Sequence, residues 1–393
     1  MKYNLEFVRP TQRAALKKEV EKNLFSSKPL GCICYEDSCI VVDPLHSKYA
    51  IYSHEGYKVE GKEAELEGVD VPFRDEVVIC MGFFHSVWGH NFTDNIKRIW
   101  FLYTEEGKQL LADGAHIVYV CEANRMIPEN GQRLFAMADV DFSRFEMIDT
   151  TTRFRKLYLP DPSLIHGTIT HEPIGDRFYS KEFWETIEKI RQKIQPAYPA
   201  WDKVYFSRTG SKNTLHRETG EWEIERIFHQ KGYKVVHPEN LTLDEQLSVL
   251  SSCQYFASTE GSIAHNAIFC RPGTQVVIVR KADYINTYQL VINAVSDLDV
   301  TYIDAHRTCP PYYAGGKVSA GPFYMYQSHY LIRWAHLHRL VRPYWMRLSY
   351  WWYILRRINV VLRIVANRKF VHKLELDYWT RQVNSCKWDE VRE

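Results

Sequence analysis

The sequence predicts an α/β protein with two Rossmann-like domains facing each other across a cleft and a C-terminal helical extension rich in aromatic and basic residues. Three observations lead there. Between residues 202 and 304, strand-like and helix-like segments alternate, with a strand roughly every 20 to 30 residues, as in βαβ units that build a parallel sheet. The chain is 393 residues long, enough for two domains. Its 45% hydrophobic and 25% charged residues are ordinary for a folded globular chain, which excludes a disordered, collagen-like or fibrous protein.

The elements follow in order. Residues 11–24 read as a helix, and 31–60 as short antiparallel strands with Glu36-Asp37-Ser38 as a turn. These place 1–69 with the first domain, whose α/β body spans 70–198. In that body Val77–Cys80 and His116–Val120 read as strands, with further strands at Glu146–Ile148 and Lys156–Leu159. His90 to Tyr103 reads as a strongly amphipathic helix, with Phe92, Ile96, Ile99, Trp100 and Tyr103 on one face. Residues 195–199, Gln-Pro-Ala-Tyr-Pro, form the linker.

The second domain, 199–321, is the more regular. Lys203–Ser207 is a strand and Glu218–Lys231 a helix with Ile224, Ile227 and Phe228 on one face. Tyr233–Val236 is a strand, and Thr242–Ser251 a helix opened by the capping box Thr242-x-x-Glu245. Gln254–Ser258, Thr274–Val279 and Val300–Ile303 are strands, with helices at Ser262–Phe269 and near Tyr288–Val295. Ligands of such sheets bind at the carboxyl ends of the strands.

The tail, 322–393, differs in composition. From Ala305 to Leu374 there is no Asp or Glu, but there are 12 Lys or Arg, so the rest of a chain of net charge +2 carries −10. Trp334, Trp345, Trp351 and Trp352 lie among these cations. This composition predicts contact with an anionic membrane surface through 322–373. Two rival readings are a helical extension packed on the core and a nucleic-acid-binding segment, and the second is set aside. No apolar run follows Met1, and no stretch reaches the roughly 18 uncharged apolar residues of a spanning helix. The expectation is a cytoplasmic protein, peripheral on the inner face of the membrane, with its nine cysteines reduced.

Three clusters could carry chemistry. The first lies in the segment from His85 to Asn95, at the mouth of a strand–helix loop, where His90 and Asp94 are four apart and share a helix face. A carboxylate beside an imidazole can take a proton from a hydroxyl, so Asp94 and His90 are the catalytic candidates. His85, Trp88 and Asn91 stand on the acceptor side. The structural alternative is that Asp94 favours the helix start and pairs with Arg98. The second cluster is Ser258-Thr259-Glu260-Gly261-Ser262, where small residues let a backbone approach an anion and Glu260 suits a sugar hydroxyl. A plain tight turn is the alternative. The third is Ser207-Arg208 at a strand end, with Lys212 and Arg217 nearby, since arginine grips phosphate bidentately. Asp139-Val-Asp141 and Asp297-Leu-Asp299 match a metal-binding Asp-x-Asp pair only weakly, and no His/Cys set has zinc spacing, so no obligatory metal or other cofactor is expected.

Taken together, "WGHNFTD", "YFSR", "GYKVVHPENLTLDEQLSVLSSCQYFAS", "TEGSIAHNAIF" and "RPGTQVVIV" resemble the family 61 glycosyltransferases over roughly residues 80 to 304. The resemblance implies a GT-B fold, an inverting mechanism and a nucleotide-sugar donor, a UDP-sugar. It also implies an acceptor hydroxyl on a cell-surface polysaccharide or lipid-linked glycan, as in capsular polysaccharide biosynthesis. By position, Arg208 and Glu260, Gly261 and Ser262 would hold the donor, with Ser207 and Lys212 beside them, and His90 and Asp94 would serve the acceptor. Many members carry His before the glycine where this chain has Glu260. A pyruvyltransferase-like enzyme and a non-catalytic glycan-assembly protein are the alternative functions.

Overall fold

The structure is a computed structural model that describes residues 2–43, 48–61, 71–121, 126–166, 177–196, 200–211, 218–283, 285–307, 323–337, 343–355 and 358. It forms two compact units: Asn23–Ile194, and Gln195–Glu393 together with Met1–Lys22.

The C-terminal unit is built on a six-stranded, wholly parallel sheet. Its order is Lys2–Asn4, Asp299–Asp304, Gln275–Arg280, Tyr255–Thr259, Lys203–Phe206, Lys234–Val236. Leaving out the N-terminal strand, this is the order 2-1-3-4-5. The central strands are buried on both faces, as parallel strands covered by helices must be: Val204, Tyr205 and Phe206 are all fully buried. Helix Glu221–Gln230 turns Ile224, Ile227 and Phe228 inward, and Phe228 stacks on Tyr205 at 4.6 Å. Helix Leu243–Ser252 begins at Thr242 with the capping box that its sequence announces.

Residues 2–20 pack in this unit, not with the first domain as the sequence grouping of 1–69 had it. Lys2–Asn4 adds the edge strand beside Asp299–Thr301. Arg9 Nε then donates to Asp304 Oδ2 at 3.0 Å, while Arg280 holds the other oxygen at 2.7 Å. A three-residue strand whose partner lies nearly 300 residues away leaves no local signal.

The tail is not one helical extension. Phe323–Met325 is a strand between Glu218–Thr219 and His306–Arg307. Helix His329–Trp334 sends Leu331 and Ile332 into the core, and Trp334 packs 4.9 Å from Phe228. Up to Leu337, therefore, the tail is core. Beyond it come a 3₁₀ turn, Tyr344–Met346, and a helical segment at 348–355.

The N-terminal unit holds a seven-stranded sheet in the order Lys58–Gly61, Lys48–Tyr52, Cys32–Asp43, Thr152–Pro160, Phe73–Phe84, His116–Cys121, Phe145–Met147. Only the last four strands are parallel; the first three form an antiparallel meander. The expected Rossmann-like character thus holds for half of this sheet. The expected turn at 36–38 is absent: Asp37 takes φ 46° inside one long strand, whose pairing with Thr152–Pro160 keeps its register. The expected helix from His90 to Tyr103 is also broken, into an α-turn Trp88–Asn91 and a 3₁₀ turn Ile99–Tyr103. Phe92, Ile96, Ile99 and Trp100 are nonetheless buried, as the periodicity requires.

Candidate functional site

In the N-terminal unit, the strand Phe73–Phe84 ends at His85, and the chain turns back through Trp88–Asn91. The turn is pinned by Asn95, whose Oδ1 accepts from the His85 amide at 2.9 Å and whose Nδ2 donates to the His85 carbonyl at 2.9 Å. This brings His90 and Asp94 together without a continuous helix: Nδ1 and Oδ2 are 2.6 Å apart. Asp94 does not pair with Arg98, which instead reaches the Pro160 carbonyl at 2.6 Å and Glu60. Gly82 makes room for that arginine: its φ is +83°, and a Cβ there would lie 2.6 Å from an Arg98 nitrogen.

Two further groups converge on Asp94 Oδ1, His166 Nε2 at 3.3 Å and Lys97 Nζ at 3.7 Å. Burial raises the Asp94 carboxyl, but hydrogen bonds from His166 and His90 and the charge of Lys97 outweigh it and hold it well below the usual carboxylate range. An ionised Asp94 can only accept, so His90 Nδ1 carries the hydrogen, and Nε2 is the ring nitrogen turned away from the carboxylate. The Asp94 side chain is 5% exposed and that of His90 28%, so the imidazole is the member a substrate can reach.

His85 stacks on His90 at 4.3 Å. One ligand atom from each of His85, His90 and Asp94 falls within 4.8 Å of the others, so these three are the residues here that could hold a metal ion. Trp88 is half-buried, edge-on to Phe92 at 5.4 Å. Asn91, expected on the acceptor side, is buried and bonded to Asn95 at 2.9 Å, a role inside the turn.

Sequence reasoning missed His166 and Lys97. Lys97 was visible in principle, three residues after Asp94. His166 comes from a separate segment, held in place because Ser163 Oγ donates to the Lys97 carbonyl at 2.6 Å. No spacing rule shows that.

In the C-terminal unit, Lys203–Phe206 and Tyr255–Thr259 are neighbours, with Phe206 opposite Ser258. Sheet order reverses between these two strands, and such a switch point is where open parallel sheets bind ligands. Ser207-Arg208 and the Glu260–Ser262 loop leave the carboxyl ends of the two strands, so the fold brings both clusters to one place. Gly261 has φ +115°, and a Cβ there would lie 3.2 Å from Lys281 Nζ.

The cluster is rich in charge. Glu218 Oε1 accepts from Arg208 Nη1 at 2.9 Å and from Lys281 Nζ at 2.7 Å. Lys281 follows the neighbouring strand Gln275–Arg280 and was readable as a strand-end cation, but went unread. Ser207 is buried and donates to Glu225 at 2.7 Å, so its hydroxyl serves the protein. Glu260 is also buried; burial raises it to about 7 against the lowering charges of Arg280 and Lys281. Ser258 Oγ, Thr259 Oγ1 and Glu260 Oε2 are buried here without a hydrogen-bond partner in the protein. Lys212 and Arg217 lie outside the described residues. Both Asp-x-Asp pairs open in tight turns, with Asp139 at φ 61° and Asp297 at φ 46°, and Asp139 is paired with Lys193.

Residues 88–277 match the family model Glycosyltransferase 61. This segment, just under half of the chain, is assigned to the family 61 glycosyltransferases. No curated protein matches the chain significantly. No helix among the described residues is long and apolar enough to cross a membrane.

Proposed function

We propose that the chain transfers a sugar from a nucleotide-sugar donor, a UDP-sugar, to a hydroxyl of a cell-surface polysaccharide or lipid-linked glycan. The transfer is one inverting displacement on a GT-B-like scaffold, needs no obligatory metal, and takes place in the cytoplasm at the inner face of the membrane. The observation that carries this reading is the span of the family match. It begins two residues before His90 and runs past Ser262, so one family segment contains both clusters.

His90 is the base. Its Nε2 takes the proton as the acceptor oxygen attacks the anomeric carbon. The bond from that carbon to the diphosphate breaks, and its electron pair leaves on the diphosphate oxygen. Asp94 holds the ring in the productive tautomer and stabilises the imidazolium that forms, the task of the carboxylate in other base–orienter pairs. Arg208 and the amides of Gly261 and Ser262 take the charge of the departing diphosphate. A Glu260 carboxyl raised to about 7 spends much of its time protonated near neutrality, so it can sit near an anion without repelling it.

The test is a thermal-shift screen of the whole chain against UDP, GDP, CMP and their sugars, with and without chelator. Stabilisation by UDP, followed by UDP-sugar turnover in chelator, is expected. A chain that no nucleotide stabilises and that hydrolyses no donor would remove the enzymatic reading.

A further inference from the structure

The helical segment at 348–355 turns its polar side inward and its apolar side outward. Inward, Ser349 Oγ donates to Glu223 Oε1 at 3.0 Å and lies 3.0 Å from the Tyr324 hydroxyl. Arg347 pairs with Glu223, and the buried Tyr353 stacks on Tyr324 at 5.3 Å. These contacts fix which face looks out. Outward, Leu348, Trp351, Trp352 and Leu355 recur at i, i+3, i+4 and i+7, a single helix stripe, and are 89%, 55%, 56% and 58% exposed. Trp345 before them and Ile358 after them are also exposed. Singly exposed apolar residues are ordinary; a contiguous stripe marks a surface that something covers.

We propose that this stripe lies in the interface of an anionic lipid bilayer, with Trp345, Trp351 and Trp352 at headgroup level and Leu348 and Leu355 below them. The proposal deepens the membrane reading given above and rests on it for its partner. The surrounding sequence supplies the complement, 12 cations and no carboxylate from Ala305 to Leu374. A second copy of the chain would set two such basic segments against each other, which charge repulsion opposes. Duplex nucleic acid offers no apolar phase for a leucine and tryptophan stripe. Arg347, Arg356 and Arg357 bound the stripe in sequence, so it is not an uncharged apolar span and lies along the surface. Binding of this kind has two parts: cation attraction that salt screens, and apolar insertion that salt leaves.

The experiment is cosedimentation of the full chain with vesicles of phosphatidylcholine alone or mixed with phosphatidylglycerol, at low and high salt. The wild-type chain should pellet with the anionic vesicles, shift its tryptophan emission to the blue, and keep part of its binding at high salt. The variant Leu348→Ser/Trp351→Ser/Trp352→Ser/Leu355→Ser replaces exposed side chains only, so its circular dichroism should be unchanged. Its vesicle partition should fall by about tenfold or more, and its salt-resistant fraction should vanish. Equal binding by this folded variant overturns the proposal. So does a wild-type chain that ignores vesicles and forms a dimer the variant breaks, or one that prefers duplex DNA to lipid. Arg208→Ala should bind vesicles like the wild type, so a failed glycosyl-transfer reading and a failed docking reading remain separable.

Discussion

Asp94 Oδ2 lies 2.6 Å from His90 Nδ1, and the carboxylate is the buried member of the pair. On the proposed reaction this relationship divides the roles: the group with access to solvent would move the proton, and the group without it would set the tautomer. His90→Ala should lower kcat by about 10²–10⁴-fold while UDP binding is unchanged. Asp94→Asn should also lower kcat, because an amide can donate to Nδ1 and stabilise the wrong tautomer. Turnover and UDP calorimetry on both folded variants are the measurements. Near-normal rates in both would make the pair structural and send the search for the base elsewhere.

The same carboxylate sets an acid limit on stability. Its folded-state pKa is depressed, so its contribution is fully present above the unfolded value, near 3.8, and is lost as pH falls through the much lower folded value. Melting temperature followed from pH 6 down to about pH 2 should drop less steeply in Asp94→Asn than in the wild type. Parallel acid limbs would show that the pairing contributes nothing in the folded state.

Glu260 has the opposite sign. Its folded pKa is raised from 4.5 to about 7, so the folded state holds a proton that the unfolded state has released. Stability should therefore fall as pH rises from about 4.5 to about 7 and level off above. Glu221, raised to about 8, adds a similar slope. Glu260→Gln keeps the shape of the protonated carboxyl and cannot ionise. It should melt close to the wild type at pH 5 and above it at pH 8. A difference that does not change with pH would mean that Glu260 is not titrating in this range.

Much of the C-terminal unit was legible in the sequence, because the four sheet strands between Lys203 and Arg280 are short and rich in apolar residues, and a helix lies between each and the next. The switch-point cluster was legible for the same reason, since a strand end predicts its own loop. The break in the His90–Tyr103 helix was not, because the buried residues keep helical spacing across a turn held by Asn95 and its bonds to His85. His166 was not legible because it reaches Asp94 through tertiary structure alone. The tail misled by composition: its absence of acids hid the fact that Met325, Leu331 and Ile332 complete a core begun at Tyr205 and Phe228.

That core sets where the chain can be cut. Ending it at Gly321 removes the Phe323–Met325 strand from between its two partners and removes the fully buried Met325, Leu331 and Tyr324. Losing one large core side chain typically costs about 2–5 kcal/mol, and several together exceed the stability of most domains. The 1–321 chain should therefore be insoluble or unfolded, whatever the outer tail does. Ending after Leu337 keeps the strand and helix His329–Trp334. It gives up the partners that Arg347 and Ser349 supply to the buried Glu223, the packing of Tyr353 on Tyr324 and the contact of Tyr344 with Arg307, so the chain melts lower while its sheet and helix remain. The 1–337 chain should express in soluble form, melt cooperatively and bind UDP as the full chain does, while failing to pellet with anionic vesicles. Limited proteolysis, melting curves and vesicle cosedimentation on the two truncations check this. A stable, nucleotide-binding 1–321 chain would show that residues 323–337 are dispensable packing and not part of the core.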